Sequence, residues 1–274
     1  MKIRVLLPII LFLYFLAISS PVNGQSQFKF SKFKCDLTYV DRDLLQLLLS
    51  SAISANDENC VKELLELKAD PNLNEIKGNT YSGPIFVTAW NGRVNILKLL
   101  LQAGLEVKND YGNASLSMAI QNGHLEMVEM LLDAGADINN KRVVLNHAAR
   151  KGNVKMVEAL LKRSANVNLA NEMGITSLME SADNPQIVED LIKAGAKIEA
   201  FDNKGWTAIF YAIKYIQLKK LEILLKNGAN TNIQDIKGMT PIKLAQKIKK
   251  ITERKKVITL LKSFEPNISN STKN

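Results

Sequence analysis

The stretch Gly123-His124-Leu125-Glu126-Met127-Val128-Glu129-Met130-Leu131-Leu132-Asp133-Ala134-Gly135-Ala136-Asp137 decides the fold. A turn glycine opens it, an apolar-rich helix follows, and a second turn closes it. Leu125, Met127, Val128, Met130, Leu131 and Leu132 cover most of the helix circumference, as a helix packed by neighbours on both sides requires. The closing phrase recurs. It reads Leu64-Leu65-Glu66-Leu67-Lys68-Ala69-Asp70, Leu100-Leu101-Gln102-Ala103-Gly104, Leu160-Leu161-Lys162-Arg163-Ser164-Ala165-Asn166, Leu191-Ile192-Lys193-Ala194-Gly195-Ala196-Lys197 and Leu224-Leu225-Lys226-Asn227-Gly228-Ala229-Asn230. The turn position therefore falls at 68, 104, 135, 164, 195 and 228, a period of about 32 residues. Repetition at such a period marks a stack of small supersecondary units.

A second phrase sits inside each unit. Gly174-Ile175-Thr176-Ser177-Leu178, Gly205-Trp206-Thr207-Ala208-Ile209 and Gly238-Met239-Thr240-Pro241-Ile242 each place a turn glycine, a threonine and then a small residue or proline. Threonine as N-cap with proline or a small residue first in the helix is a helix start. Each unit thus reads helix–turn–helix–loop, too small to bury its own faces and stable only when stacked.

At these residues the chain resembles the ankyrin-repeat family, over about residues 41–263 in about seven units. The resemblance implies an all-α solenoid. The Ala136 to Asn139 ending agrees with the family pattern, as do the period and the turn glycines. The family's Thr-Pro-Leu-His tetrapeptide is never intact: Thr176-Ser177-Leu178-Met179, Thr207-Ala208-Ile209-Phe210 and Thr240-Pro241-Ile242-Lys243 stand in its place, and Ala114 to Ser117 and Val143 to Asn146 depart further. The family's shared hydrogen bonds between units are then in question, and apolar packing is expected to do more. The loop is expected to be clipped in the fourth unit and enlarged around Ile76 to Tyr81.

The flanks carry a different pattern. Residues 1–24 have a basic start (Lys2, Arg4), the apolar run Val5 to Ile18 and then small residues, the layout of a signal peptide cut after Gly24. The run is shorter than the ~20 residues of a comfortable span, and an uncleaved anchor is the other reading. Residues 25–40 read as an N-terminal cap and 264–274 as a polar, disordered tail. Export, periplasmic or secreted, is what resemblance to exported bacterial ankyrin proteins implies. In an oxidising compartment Cys35 and Cys60 could pair; alternatively both are reduced, with Cys60 a small hydrophobe in a helix.

Composition narrows the function. Hydrophobic residues make up 46% of the chain, which excludes a disordered polymer, and mean hydropathy of −0.04 excludes a polytopic membrane protein. Two histidines leave little for metal or acid–base chemistry, and no phosphate loop, zinc spacing or nucleophile elbow appears. His124 and His147 read as structural. No enzyme activity, cofactor, metal or small-molecule substrate is expected.

The resemblance implies that a partner protein touches loop tips and exposed first-helix positions on the concave side. Mapping the repeat places Tyr81, Trp90, Asn91, Tyr111, Gln121, Arg150, Lys151, Met173, Ile175, Trp206, Lys214, Tyr215 and Met239 there. Aromatic, Met and Arg residues are the types enriched at interface hot spots; the tryptophans could instead pack against neighbouring loops. Charge is lopsided as well. Residues 204–274 hold 15 Lys/Arg against 4 Asp/Glu, whereas residues 25–203 hold 19 against 23. The basic segment 243–262, with Leu244, Ile248, Ile251, Val257, Ile258 and Leu261 for the stack, reads either as a solubilising cap or as a binder of membrane or nucleic acid. The chain is read as a monomer.

Overall fold

A computed structural model describes residues 42–73, 75–77, 80–140 and 144–264. The readings placed on residues 1–24, on 25–40, on Cys35 and on the tail beyond Phe264 lie outside them. Among the described residues fourteen helices fall into seven consecutive pairs. These are α1 (Arg42–Ala55) with α2 (Glu58–Glu66), α3 (Pro84–Asn91) with α4 (Val94–Gln102), and α5 (Asp110–Asn122) with α6 (Leu125–Asp133). Then come α7 (Val144–Lys151) with α8 (Val154–Lys162), α9 (Ser177–Glu180) with α10 (Pro185–Lys193), α11 (Ala208–Lys214) with α12 (Leu218–Lys226), and α13 (Pro241–Gln246) with α14 (Ile251–Ser263). Seven units is the number the period predicts. The enlarged loop of the second unit is a two-stranded antiparallel ribbon, β1 (Glu75–Lys77) and β2 (Thr80–Ser82), with Ile76 opposite Tyr81.

The repeated phrase has a repeated cause. Lys68, Gly104, Gly135, Ser164, Gly195 and Gly228 all have positive φ, from 61° to 98°. Each reversal lets the next residue (Ala69, Leu105, Ala136, Ala165, Ala196 or Ala229) donate its N–H to the leucine carbonyl five residues back, at 3.0 Å. That bond satisfies a carbonyl orphaned at the helix end. Lys68 and Ser164 hold the left-handed conformation without being glycine, at a cost of ~1–2 kcal/mol each.

Second helices supply the most regular core. Ile96, Leu97 and Leu100 of α4 are fully buried, as are Met127, Val128 and Leu131 of α6, Met156, Val157 and Leu160 of α8, and Ile187, Val188 and Leu191 of α10. Each such side chain contributes ~1.5–3 kcal/mol by leaving water. The first helices of successive units pack on one another more closely than the second helices do.

The inter-unit hydrogen bonds put in question by the broken tetrapeptide are made by other residues. Asn72 accepts from Glu106 N and donates to the Gly104 carbonyl. Asn139 accepts from Asn166 N. Asn168 accepts from Lys197 N and donates to the Gly195 carbonyl, and Glu199 accepts from Asn230 N. This ladder joins successive units beside their second-helix ends. Helix starts differ from expectation too: the Thr240 hydroxyl accepts from Lys243 N, while Thr176 and Thr207 occupy N-cap positions without a side-chain cap bond.

The final unit corrects one detail of the basic segment. Val257 and Leu261 are buried and Leu244, Ile248 and Ile258 pack against the core, but Ile251 is exposed. With Lys255, Lys256 and Lys262 outward, α14 presents a polar outer face, as a terminal repeat requires.

Candidate partner-binding surface

Three loop tips have one construction. Asn171, Asp202 and Asp235 each accept, through one side-chain oxygen, the backbone N–H two residues on (Met173, Lys204, Lys237) and four residues on (Ile175, Trp206, Met239). Carboxylates and amides that close such turns hold the tip rigid. Gly174, Gly205 and Gly238 supply the positive φ inside them. Neighbouring tips are laced by backbone bonds, Asn203 N to the Met173 carbonyl and Ile236 N to the Lys204 carbonyl. Met173, Lys204, Ile236 and Lys237 are exposed along this edge.

Beside the tips run the ends of the first helices. Trp90, Gln121, Arg150 and Lys214 each stand two residues before a left-handed turn residue (Gly92, Gly123, Gly152, Ile216), so they form one row; Asn91, Asn122, Lys151 and Tyr215 form the next. All eight are exposed. Trp90 is 52% exposed, its ring tilted against Phe86 and its carbonyl accepting from Asn122 Nδ2 and facing His124 Nε2 at 3.1 Å. The His124 ring thus bridges the turn of the third unit to the first helix of the second. Gln121 Nε2 lies 3.4 Å from His147 Nδ1. Asn91 donates to its own helix, at the Val87 carbonyl.

The sixth unit holds the densest cluster. Trp206 stacks on buried Phe210, with ring centres 5.6 Å apart, and meets Tyr211 edge-on. Its indole N–H donates to Asp235 Oδ2 at 2.9 Å, and the Tyr211 hydroxyl donates to Asp202 Oδ2 at 2.8 Å. Burial first, then the Asp202 bond, pushes the Tyr211 hydroxyl above its ordinary range. Burial would raise the Asp235 carboxyl, but the Met239 N–H and the Trp206 indole hold it below the usual carboxylate range. The Lys214 ammonium lies 5.5 Å from the Trp206 ring centre and 5.0 Å from that of Tyr215.

The fifth unit interrupts the row. From Ile209 to Gln217 is eight residues, and from Leu178 to Asn184 only six. A helix rises 1.5 Å per residue and an extended chain more than 3 Å. The shorter link therefore bridges the same gap by uncoiling, and α9 stops after Glu180 with Ser181 extended (φ −53°, ψ 142°). The carbonyls freed by uncoiling find donors in the next unit. Lys220 Nζ donates to Met179 O at 2.9 Å and Ser181 O at 3.0 Å, and Gln217 Nε2 also donates to Ser181 O. Lys220 occupies the core column of Ile96, Met127, Met156 and Ile187 and is 0% exposed. Burial pulls its pKa down to about 7, opposed by Asp183 and Glu180. Glu180 is half-buried; its carboxyl is raised by burial, against Arg150 and Lys220. His147 is lowered by burial and then by Arg150.

Of the residues expected on this surface, Trp90, Asn91, Gln121, Arg150, Lys151, Met173, Lys214 and Tyr215 are exposed along it. Ile175 is corrected: at 9% exposure it is core, because it follows the tip glycine and turns inward to pack. Trp206, Tyr111 and Met239 are half-buried and packed against the core, so Trp206 contributes an edge and not a whole face. Tyr81 lies in β2, paired with Ile76 across the ribbon. Cys60, a possible disulfide partner, is half-buried in α2, and its backbone N–H donates to Asp57. Lys220, Tyr211, Asp202 and Asp235 went unrecognised. Their signal was available: Lys220 is the one charged residue in an otherwise Ile/Met column, and the two aspartates share one repeat position.

Among the described residues no group of three His, Cys, Asp or Glu is placed to hold a metal, and no helix is long and apolar enough to cross a membrane. Residues 48–142, 145–235 and 181–270 each match the family model described as ankyrin repeats (3 copies), which spans well over half of the chain. With seven stacked helix pairs and their laced tips, this chain belongs to the ankyrin-repeat family.

Proposed function

We propose that this protein is a non-catalytic scaffold, exported from the cytoplasm, that binds a partner protein through the concave face formed by its loop tips and first helices. Ankyrin repeats typically mediate protein–protein binding. The observation that carries the reading is the run of exposed Trp90, Arg150, Met173, Lys214 and Tyr215 on laced loops and helix ends, broken at the helix end of the fifth unit. A surface already rigid loses little conformational entropy on binding, and aromatic and arginine side chains are where binding energy concentrates. The export reading rests on the sequence of residues 1–24 alone.

The test is a crosslinking pull-down from the exported fraction of native cells with the full chain as bait, beside a Trp90→Ala/Tyr215→Ala variant. Both positions are exposed, so the variant keeps its core. A protein held by wild type at high salt and lost with the variant supports the scaffold. Retention of both baits at low salt only would overturn it and move the function to the basic segment 243–262, whose Lys255, Lys256 and Lys262 are outward.

A further inference from the structure

The surface around the sixth unit carries exposed cations that make no ion pair, although half-buried Glu180 lies near Arg150 and Asp235 near Lys237. Arg150, Lys151, Lys204, Lys214 and Lys237 are all exposed. Among the described residues none of the five has an ion-pair partner, whereas Arg163, Lys226 and Lys250 elsewhere are paired with Glu129 and Asp133, Glu222 and Glu253. Two of the five converge on one ring: Lys204 Nζ lies 6.0 Å from the Trp206 centre and Lys214 Nζ 5.5 Å. Exposed carboxylates on the same surface are Glu172 and Asp183, and Asp183 Oδ1 is engaged by Lys220 N. The rings of Trp206 and Tyr215 already have a cation, Lys214, against them. An incoming cation would meet like charge there; an incoming carboxylate meets an ammonium held in place by two π-faces.

Apolar surface lies beside these charges. Met173, Tyr215 and Ile236 are exposed, and a Cβ built on Gly205 would sit 3.4 Å from Ile236 Cγ2, so the Ile236 side chain borders the base of the Trp206 tip.

We infer that the surface of the fourth to seventh units recognises an acidic segment of a partner protein, its carboxylates against Lys204, Lys214 and Arg150 and an apolar side chain against Tyr215 and the Trp206 edge. The inference rests on the reading that this face binds a protein, and adds the class of segment it takes. Charge complementarity of this kind steers encounter and rejects wrong partners, while the apolar anchor supplies affinity.

The probe is a fluorescein-labelled nine-residue peptide with Phe and Leu spaced among glutamates, compared by anisotropy with its counterpart bearing lysine for every glutamate, using the full chain. The acidic peptide is expected to bind at least tenfold more tightly. Lys204→Glu/Lys214→Glu, both exposed and harmless to the core, is expected to weaken it at least tenfold, and Tyr215→Ser several-fold. Equal binding of the two peptides, no binding of either at millimolar concentration, or indifference to the charge reversal overturns the inference. So does equally tight, equally reversal-sensitive binding of phosphatidylserine vesicles or a 20-nucleotide RNA, which would make the face a general polyanion site. A native partner lost with Trp90→Ala/Tyr215→Ala but kept by Lys204→Glu/Lys214→Glu would overturn the acidic-segment inference while the scaffold reading stood.

Discussion

Replacing Lys220 by Met tests what a buried lysine amine contributes to the uncoiled fifth unit and what its charge costs. Methionine restores the type found at the equivalent positions of α6 and α8, where Met127 and Met156 are fully buried, so shape and volume change little. Lys220 has an ordinary pKa of 10.5 and a folded value of about 7. Its folded pKa is lowered, so between about pH 7 and pH 10.5 the unfolded chain binds more protons than the folded one, and stability rises with pH across that window. The contribution is complete above the unfolded value and lost as pH falls to the folded one. At 1.36 kcal/mol per unit of pH, the rise from pH 7 to pH 9 is about 2–3 kcal/mol.

The Met variant has no such titration. It also leaves the Met179 carbonyl without its Lys220 donor, at a cost of ~1–3 kcal/mol, while Ser181 O keeps Gln217. At pH 6 the buried charge that the variant removes costs wild type about 4–5 kcal/mol, the linkage between a pKa of 10.5 and one of about 7, so the variant should be the more stable by about 2–4 kcal/mol. At pH 9 the two should lie within about 1 kcal/mol of each other, a change of about 2–3 kcal/mol in favour of wild type. Urea unfolding followed by far-ultraviolet circular dichroism at pH 6, 7.5 and 9 reads the difference. Asp183 and Glu180, the acidic groups facing Lys220, are present in both proteins, but the Lys220 charge lowers the Glu180 carboxyl, so Glu180 rises in the variant and the step from pH 7.5 to pH 9 carries the comparison. A stability difference that does not change with pH would refute the argument.

Further outcomes follow from the same geometry. A Cβ at Gly112 would lie 1.9 Å from the Val107 carbonyl oxygen, whereas at Gly195, with φ +88°, it would meet nothing within 4 Å. Gly112→Ala should therefore cost at least about 3 kcal/mol and Gly195→Ala only about 1 kcal/mol by thermal unfolding; equal costs would contradict the clash. Leu131→Ala, at a fully buried position of α6, should destabilise by about 2–5 kcal/mol, and a change under 1 kcal/mol would mean the stack closes around the cavity. His147 should titrate below 6.5 by NMR, since burial and Arg150 disfavour its charged form. Its stabilising effect is then lost as pH falls from 6.5 through the folded value, and a midpoint above 6.5 would count against the half-buried placement.

The sequence by itself determined the architecture. Six recurrences of a Leu-Leu or Leu-Ile phrase and its turn residue predict six turns, and all six have positive φ with the same returning hydrogen bond. Local chemistry suffices there, because the conformation of each turn depends on residues within one unit. Exposed helix-end positions such as Trp90, Arg150 and Tyr215 were legible for the same reason, as the phase of each repeat places them next to its turn.

Only the tertiary structure decided what depends on the neighbouring unit. Ile175 and Trp206 share a repeat position, yet Ile175 is buried while Trp206 keeps an exposed edge, its indole tied to Asp235 of the following unit. The missing tetrapeptide histidines suggested weakened links between units, but Asn72, Asn139 and Asn168 reach across at positions that no pattern within one unit marks as paired. Lys220 is the sharpest case. Its place in an apolar column makes sense only beside a link two residues shorter in the unit before, where the uncoiled carbonyls need a donor that an apolar side chain cannot supply.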